Sequence, residues 1–374
     1  MKIKAAVLRE FGLPRPYIDS RPLMIEEIEL DPPLKGEVLI QIKAAGLCHS
    51  DLVAISGERP KPLPMVIGHE AAGIVVVTGP DVEGLAPGDH VVPSFVASCG
   101  RCDMCREGRP ALCQPASVAN MAGTLMDGTT RLHSNGVPIH HHSGVAAFAE
   151  HAVISQSALV KIDPSIPFEH AALFGCAVIT GVGAVINTAE ISPGQSVAVV
   201  GLGGVGLSSL MAARAAGAGT IIAIDVEESK LSLARDLGAH QIYNAKDTDC
   251  VAQVRAATDG GVHLAVETAG ASRALETAYH ITRRGGMTVT AGLPGPEATI
   301  TLQHLNLTGE ERCLKGSYMG SCVPSRDIPR YMDLFKDGRL PVNRLMSRAI
   351  ALDELNEAFD RLAEVSTVRE VVVL

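Results

Sequence analysis

No stretch of this chain approaches the roughly 18 unbroken apolar residues that a membrane helix needs, so no membrane span is expected. The amino terminus, MKIKAAVLREFG, meets charge early and lacks the apolar run of a secretion signal. A soluble, cytoplasmic protein is the default expectation. Positive charge is not in excess: 32 Lys and Arg stand against 41 Asp and Glu, a formal net charge of −9. That balance argues against non-specific nucleic-acid binding and against docking on an anionic membrane. Internal repeats and low-complexity tracts are absent as well. The apolar share of 47% and the charged share of 20% belong to a folded chain rather than a disordered one. The 374 residues are enough for two domains of ordinary size.

Cysteine is plentiful but not arranged for disulfides. There are nine, an odd number without a secretion signal, which argues against a disulfide framework. Four cluster as Cys99-x2-Cys102-x2-Cys105-x7-Cys113. Four thiolates can surround one zinc tetrahedrally and leave no position for substrate, which makes such a metal structural. An iron–sulfur centre also takes four cysteines, and spacing does not exclude it. Cys250, Cys313 and Cys322 match no ligand pattern and read as buried, inert thiols, with Cys250, after Asp249 in a polar stretch, the one that could be exposed.

Along the chain, the first ~175 residues carry short apolar runs, such as 37–42, 73–77 and 90–93, bounded by turn residues, as in a many-stranded β domain. Residues ~114–145 are poorest in structure signals and read as a long excursion. From about Ser192 the pattern changes. Strands at 196–200, 220–225, 264–267 and 287–290 alternate with helices at 205–216 and 227–237, which implies βαβ units and a parallel sheet. Helices at 326–336 and 352–363 and a strand at 369–374 close the chain.

Gly201, Gly203 and Gly206 form GxGxxG within GLGGVGL, which also holds Gly204 and Val205. The motif alone is weak. Here a strand precedes it, a helix starts in it, and Asp225 ends the next strand, which together make a dinucleotide fingerprint. The first glycine makes the tight turn, the second lets the backbone approach a pyrophosphate, and the third allows helix–strand packing. The free helix N–H groups attract phosphate. Asp225 can accept from an adenosine ribose and would repel a 2′-phosphate, which favours NAD over NADP.

Two further segments are each weak signals alone: Gly46-Leu47-Cys48-His49-Ser50-Asp51 and Gly68-His69-Glu70-Ala71-Ala72-Gly73. With the cysteine cluster, Gly175-Cys176, GLGGVGL with Asp225, and Arg369, they resemble the zinc-dependent medium-chain alcohol dehydrogenases over essentially the whole chain. The resemblance implies an α/β protein: a GroES-like β-rich catalytic domain at 1–178, a Rossmann doubly wound parallel-sheet cofactor domain at 179–318, and a return to the catalytic domain at 319–374. It implies that Cys48, His69 and Cys176 bind a catalytic zinc, with one position left for water or substrate. Asp51 would orient His69, and Glu70 would sit just behind the metal. With structural zinc in the cysteine cluster, two zincs per chain are expected, besides NAD. His49, Thr180, Lys230 and Arg369 look like further cofactor contacts. Arg59, Phe95, Val118, His142 and Ser143 fall at substrate-pocket positions.

The expected reaction is reversible oxidation of a primary alcohol to an aldehyde, with hydride passing to NAD+ and Ser50 as first proton acceptor. The position where many relatives carry a proton-relay histidine is Val53. His140, His141 and His142 read as a strand or loop with alternating side chains rather than a third metal site. The excursion containing residues 126–131 resembles the long loop of dimeric members, so a homodimer is expected, with a tetramer as the alternative. The segment after Cys113 departs from the glutathione-dependent formaldehyde dehydrogenases, and that activity is not expected. Two other readings compete: a dehydrogenase that retains its nicotinamide and dismutates alcohol and aldehyde, and a non-catalytic zinc- and nucleotide-binding regulator. Need for added NAD+ separates the former, and turnover over an alcohol panel the latter.

Overall fold

The structure, a computed structural model, describes residues 1–364 and 367–374. It divides into two compact units. The first comprises Met1–Cys176, Val323–Met332 and Met346–Leu374; the second comprises Ala177–Cys322 and Asp333–Leu345. The carboxy-terminal segment, expected as one return at 319–374, is thus shared between the two.

The first unit is built on two sheets. A closed barrel runs in the order Lys2–Leu8, Leu23–Leu30, Leu132–Ser134, Val137–His141 and Met65–Val66. A seven-stranded sheet runs Leu159–Lys161, His90–Pro93, Glu70–Thr78, Glu37–Gly46, Arg369–Val373 and Met346–Ile350, with His151–Ser155 also on Glu37–Gly46. The runs read at 37–42, 73–77 and 90–93 lie within three of these strands. Alternation puts Val38, Ile40 and Ile42 into one core with Phe148, Phe359 and Val372, while Leu39 joins Ile3, Val66 and Val153 in a second. Both faces of Glu37–Gly46 are therefore covered, which is why the strand carries so little charge.

The excursion at ~114–145 is more structured than its composition indicated. Gln114–Ala122 is a helix with Pro115 in its first turn and Gly123 in the left-handed conformation at its end. Leu132–Ser134 and Val137–His141 are barrel strands. The loop between helix and barrel is held by an ion cluster rather than by apolar periodicity. Arg131 donates to both oxygens of Glu37, at 2.8 and 2.7 Å, and to Asp127 at 2.6 Å. Arg131 and Glu37 are buried, 4% and 5% exposed. A buried arginine of this kind stays only where its charge is matched, and here the bidentate fork does so.

The second unit holds a six-stranded sheet, all parallel, in the order Gln241–Asn244, Thr220–Asp225, Ser196–Val200, Val262–Glu267, Thr282–Thr290, Cys313–Gly316. In chain order this is 3-2-1-4-5-6, the doubly wound dinucleotide arrangement anticipated from the strand–helix alternation. The inner strands are nearly uniform apolar runs, as burial on both faces requires. The order reverses between Ser196–Val200 and Val262–Glu267, and the carboxyl ends of those strands form the crevice where such sheets bind ligand.

Candidate active site and metal centres

Cys48 follows strand Glu37–Gly46 and caps the helix His49–Ser56. Its N–H donates to Asp51 Oδ2 at 3.0 Å, while Asp51 Oδ1 lies 2.9 Å from His69 Nδ1. One carboxylate thus ties the first turn of the helix to the residue that enters strand Glu70–Thr78. Cys176 stands where the turn Ala172–Gly175 meets the helix Ala177–Gly183. Cys48, His69 and Cys176 are all buried, and one donor atom from each lies within 4.8 Å of the others. The Cys48 and Cys176 sulfurs are 3.9 Å apart. A tetrahedron with metal–sulfur bonds of about 2.3 Å has edges of about 3.8 Å, so the donor set fits zinc. Asp51 occupies Nδ1 of His69 and leaves Nε2 as the ligating nitrogen.

The charges of the site are tightly coupled, with Cys48 and Asp51 favoured as anions. Contact with the Cys176 sulfur, aided by the Arg369 guanidinium and His69, pushes the Cys48 thiol well below its ordinary value. The same contact, with burial, pushes Cys176 well above. Burial opposes charge on Asp51, but the His69 and His142 imidazoles outweigh it and hold the carboxyl below the usual range. Burial likewise opposes protonated His69, and Asp51 overrides it upward.

The second donor group is Cys99, Cys102, Cys105 and Cys113, again with sulfurs inside 4.8 Å. Backbone N–H groups of Cys99 and Cys102 point at the Cys113 and Cys99 sulfurs, each at 3.3 Å. The N–H groups of Arg101 and Cys102 lower Cys99 to about 6, whereas burial raises Cys105 to about 12. Four sulfurs and no open position suit a structural ion.

The helix Gly204–Ala215 opens in the glycine turn. Gly201 has φ +91°, and a Cβ there would press on the backbone of Ala269; a Cβ on Gly206 would overlap the Gly201 carbonyl. At Gly203 a Cβ would meet nothing within 4 Å, so the turn is open where a pyrophosphate would approach. Asp225 accepts from Leu202 N at 2.6 Å, Val226 N at 2.8 Å and Glu227 N at 3.0 Å. These contacts fix its carboxylate at the turn.

These two donor groups and the doubly wound sheet are the parts of a zinc- and nucleotide-dependent dehydrogenase. Residues 34–164 match the family described as alcohol dehydrogenase GroES-like domain, and residues 204–337 match zinc-binding dehydrogenase. The chain belongs to the zinc-dependent medium-chain alcohol dehydrogenase family. It is 38% identical to an S-(hydroxymethyl)glutathione dehydrogenase of Escherichia coli O1:K1, with 100% of each chain covered. Among solved structures, it superposes on an alcohol dehydrogenase zinc-binding domain protein from Burkholderia ambifaria with a TM-score of 0.94, at 35% identity, covering 100% of this chain and 99% of that one. A benzyl alcohol dehydrogenase from Acinetobacter calcoaceticus gives 0.93 at 33% identity, covering 100% and 99%.

The remaining expected site residues fall in different places. Phe95 packs edge-on against His69 at 5.7 Å, and His142 does so at 5.2 Å. His142 Nδ1 also lies 3.1 Å from Asp51 Oδ1, so the same oxygen sits beside two imidazoles, a proximity the sequence did not signal. His69, Asp51 and His142 also form a metal-type group, but it shares His69 and Asp51 with the first and is not independent of it. His141 points elsewhere and accepts the Arg131 N–H at 3.0 Å, as strand alternation requires. Ser143 is half-buried with φ 53°, and Arg59 is half-buried. Val118 is 63% exposed on the helix Gln114–Ala122. His49 is exposed, Ser50 half-buried and Val53 buried. Arg369 is buried, donates to the Leu47 carbonyl at 3.1 Å and to Cys48 Sγ at 3.8 Å, and lies 3.7 Å from Glu70 Oε1. Thr180 and Lys230 are buried in the second unit. The Glu37–Arg131–Asp127 cluster was missed in the sequence because Glu37, which fills the other side of the Arg131 fork, lies 94 residues from it along the chain.

Proposed function

We infer that this chain catalyses reversible hydride transfer between a primary alcohol and NAD+, giving aldehyde and NADH. The observation that carries the reading is the buried Cys48, His69 and Cys176 donor set, with Asp51 behind His69. Zinc, when bound, supplies a Lewis acid that acidifies an alcohol hydroxyl, and NAD+ supplies the hydride acceptor. Cys48, His69 and Cys176 would hold the metal and leave one position open. Cys99, Cys102, Cys105 and Cys113 would hold the second ion and brace their loop. Ser50, two residues beyond Cys48, would take the hydroxyl proton; buried Val53 cannot pass it on. Asp225 selects NAD+ by occupying the place a 2′-phosphate would need. Gly203, Gly204 and Val205 would present backbone to the pyrophosphate.

A second substrate reading rests on the name of the Escherichia coli relatives and on two cations. Arg59 is half-buried, and Lys61 is lowered by its own burial and then by Arg59. Such a pair suits a substrate with an anionic far end, an ω-hydroxy acid or S-(hydroxymethyl)glutathione. The deciding experiment is NADH production with linear and aromatic alcohols, hydroxy acids, and formaldehyde with glutathione. Turnover of simple alcohols, unchanged in KM by Arg59→Ala, supports the first reading. Turnover confined to the glutathione adduct replaces it with the second. Silence on every substrate leaves the non-catalytic regulator, and turnover without added NAD+ identifies a nicotinamide-retaining enzyme.

A homodimer and a cytoplasmic location complete the proposal. The strand Cys313–Gly316 is the last in its sheet, with Thr282–Thr290 on one side only among the described residues, and Leu305 is 78% exposed. Light scattering on purified protein tests the dimer.

A further inference from the structure

Glu267 ends the strand Val262–Glu267 at the crevice of the parallel sheet, and it is 1% exposed. No lysine or arginine pairs with it among the described residues. Its two oxygens reach in different directions. Oε1 accepts the N–H of Gly270, in the turn after its own strand, at 2.6 Å. Oε2 accepts the hydroxyl of Thr290, the last residue of the neighbouring strand, at 2.7 Å. Its backbone carbonyl accepts Ala291 N at 2.8 Å and Gly292 N at 3.3 Å. The two turns are packed so closely that a Cβ on Gly292 would overlap the Gly270 nitrogen. Next to Glu267, the Thr268 hydroxyl donates to the Gly201 carbonyl at 2.7 Å, which joins this assembly to the glycine turn.

A buried carboxylate without a cation is an expensive way to pack two strand ends; an apolar side chain would do it at lower desolvation cost. What the carboxylate adds is a fixed spacing between two turns at the ligand-binding edge. The direction of a dinucleotide across that edge follows from the residues already placed. Asp225 marks the adenosine end over Thr220–Asp225, and the glycine turn marks the pyrophosphate after Ser196–Val200. The other half must then lie over the ends of Val262–Glu267 and Thr282–Thr290, where Glu267 sits below the surface.

We propose that Glu267, with Thr290, is a positioning residue for the nicotinamide half of the cofactor: it sets the turns at Gly270 and Gly292 against which that half binds. The inference rests on the NAD reading of the sheet. It separates the two halves of the cofactor, since neither the Glu267 carboxylate nor the Thr290 hydroxyl bonds to Asp225 or to the glycine turn.

The experiment compares NADH with ADP, which keeps the adenosine and pyrophosphate but lacks the ribose and nicotinamide of the other half. Binding is read by NADH fluorescence and by calorimetry for ADP, on wild type, Glu267→Gln and Thr290→Val, with thermal melts as a folding control. Losing one hydrogen bond to a charged group is worth about tenfold in affinity. The expected result is NADH binding weakened about tenfold in Glu267→Gln and several-fold in Thr290→Val. ADP binding should stay within about twofold of wild type in both, since neither substitution removes the Thr268 contact to the glycine turn. Thr290→Val retains the carboxylate and its Gly270 contact, so it carries the test if Glu267→Gln does not fold. Equal losses for both ligands, or none for either in folded variants, would overturn the proposal. Wild-type protein that binds neither ligand would overturn the nucleotide reading itself, and the proposal with it.

Discussion

Replacing Asp225 separates a role the structure shows, holding the glycine turn, from the proposed one, selecting NAD+. It is 8% exposed and accepts three backbone N–H groups, one of them from Leu202 in the glycine turn. On the proposed NAD reading it would also stand where an adenosine 2′-phosphate must go. At about 4 Å and an effective dielectric near 20, a unit charge pair interacts by about 4 kcal/mol. Some of that is screened, and about 3 kcal/mol of discrimination corresponds to roughly 10²-fold between cofactors. Asp225→Gly should therefore raise the ratio of kcat/KM for NADP+ over that for NAD+ by about two orders of magnitude. It also orphans the Leu202 N–H, at a stability cost of about 1–3 kcal/mol. Asp225→Ser keeps an acceptor and should give much of the selectivity change with a smaller fall in Tm. The assay is initial-rate kinetics with both cofactors on all three proteins, with melts alongside. A wild type that already prefers NADP+ would refute the reasoning, as would a cofactor ratio unmoved in folded Asp225→Gly.

Elemental analysis should find two zincs per chain and no substantial iron, and His69→Ala should retain one zinc with little change in fold; iron in the cysteine group would remove its zinc assignment. Burial, and then Arg131, lowers His141 to about 3 from 6.5, so the unfolded chain binds a proton that the folded chain rejects between those values. Its contribution to stability is present above about pH 6.5 and lost as pH falls toward 3, by at most about 1.4 kcal/mol per pH unit. His141→Gln should flatten the fall of Tm between pH 6 and pH 4, and an unchanged slope would contradict this. Val53→His should weaken the dependence of kcat on pH below neutrality if proton release limits turnover, because an imidazole there titrates near pH 6.5 when unperturbed. An unchanged profile, with wild-type kcat also insensitive to buffer base, would mean that proton release is already fast.

Local rules carried much of this protein. The glycine turn, the acid ending the next strand and the four-cysteine spacing are chemistry written over a few residues, so they were legible without a structure. So was the strand–helix alternation, because parallel strands buried on both faces must be apolar runs. The resemblance, rather than any local rule, brought Cys48, His69 and Cys176 together: they are far apart in sequence, and each alone reads as an ordinary core residue. Tertiary structure decided what depends on contacts between distant segments. The helix and barrel strands inside 114–145 are held by Glu37 reaching Arg131, a pairing no periodicity reveals. One Asp51 oxygen lies beside both His69 and His142, and Arg369 turns to Leu47, Cys48 and Glu70. Glu267 reads in sequence as the polar end of a strand, and only the sheet order places it under two turns of the nucleotide crevice. A sequence states which donors exist; which donor meets which acceptor is settled when folding removes water from between them and leaves each buried polar group to find its partner in the protein.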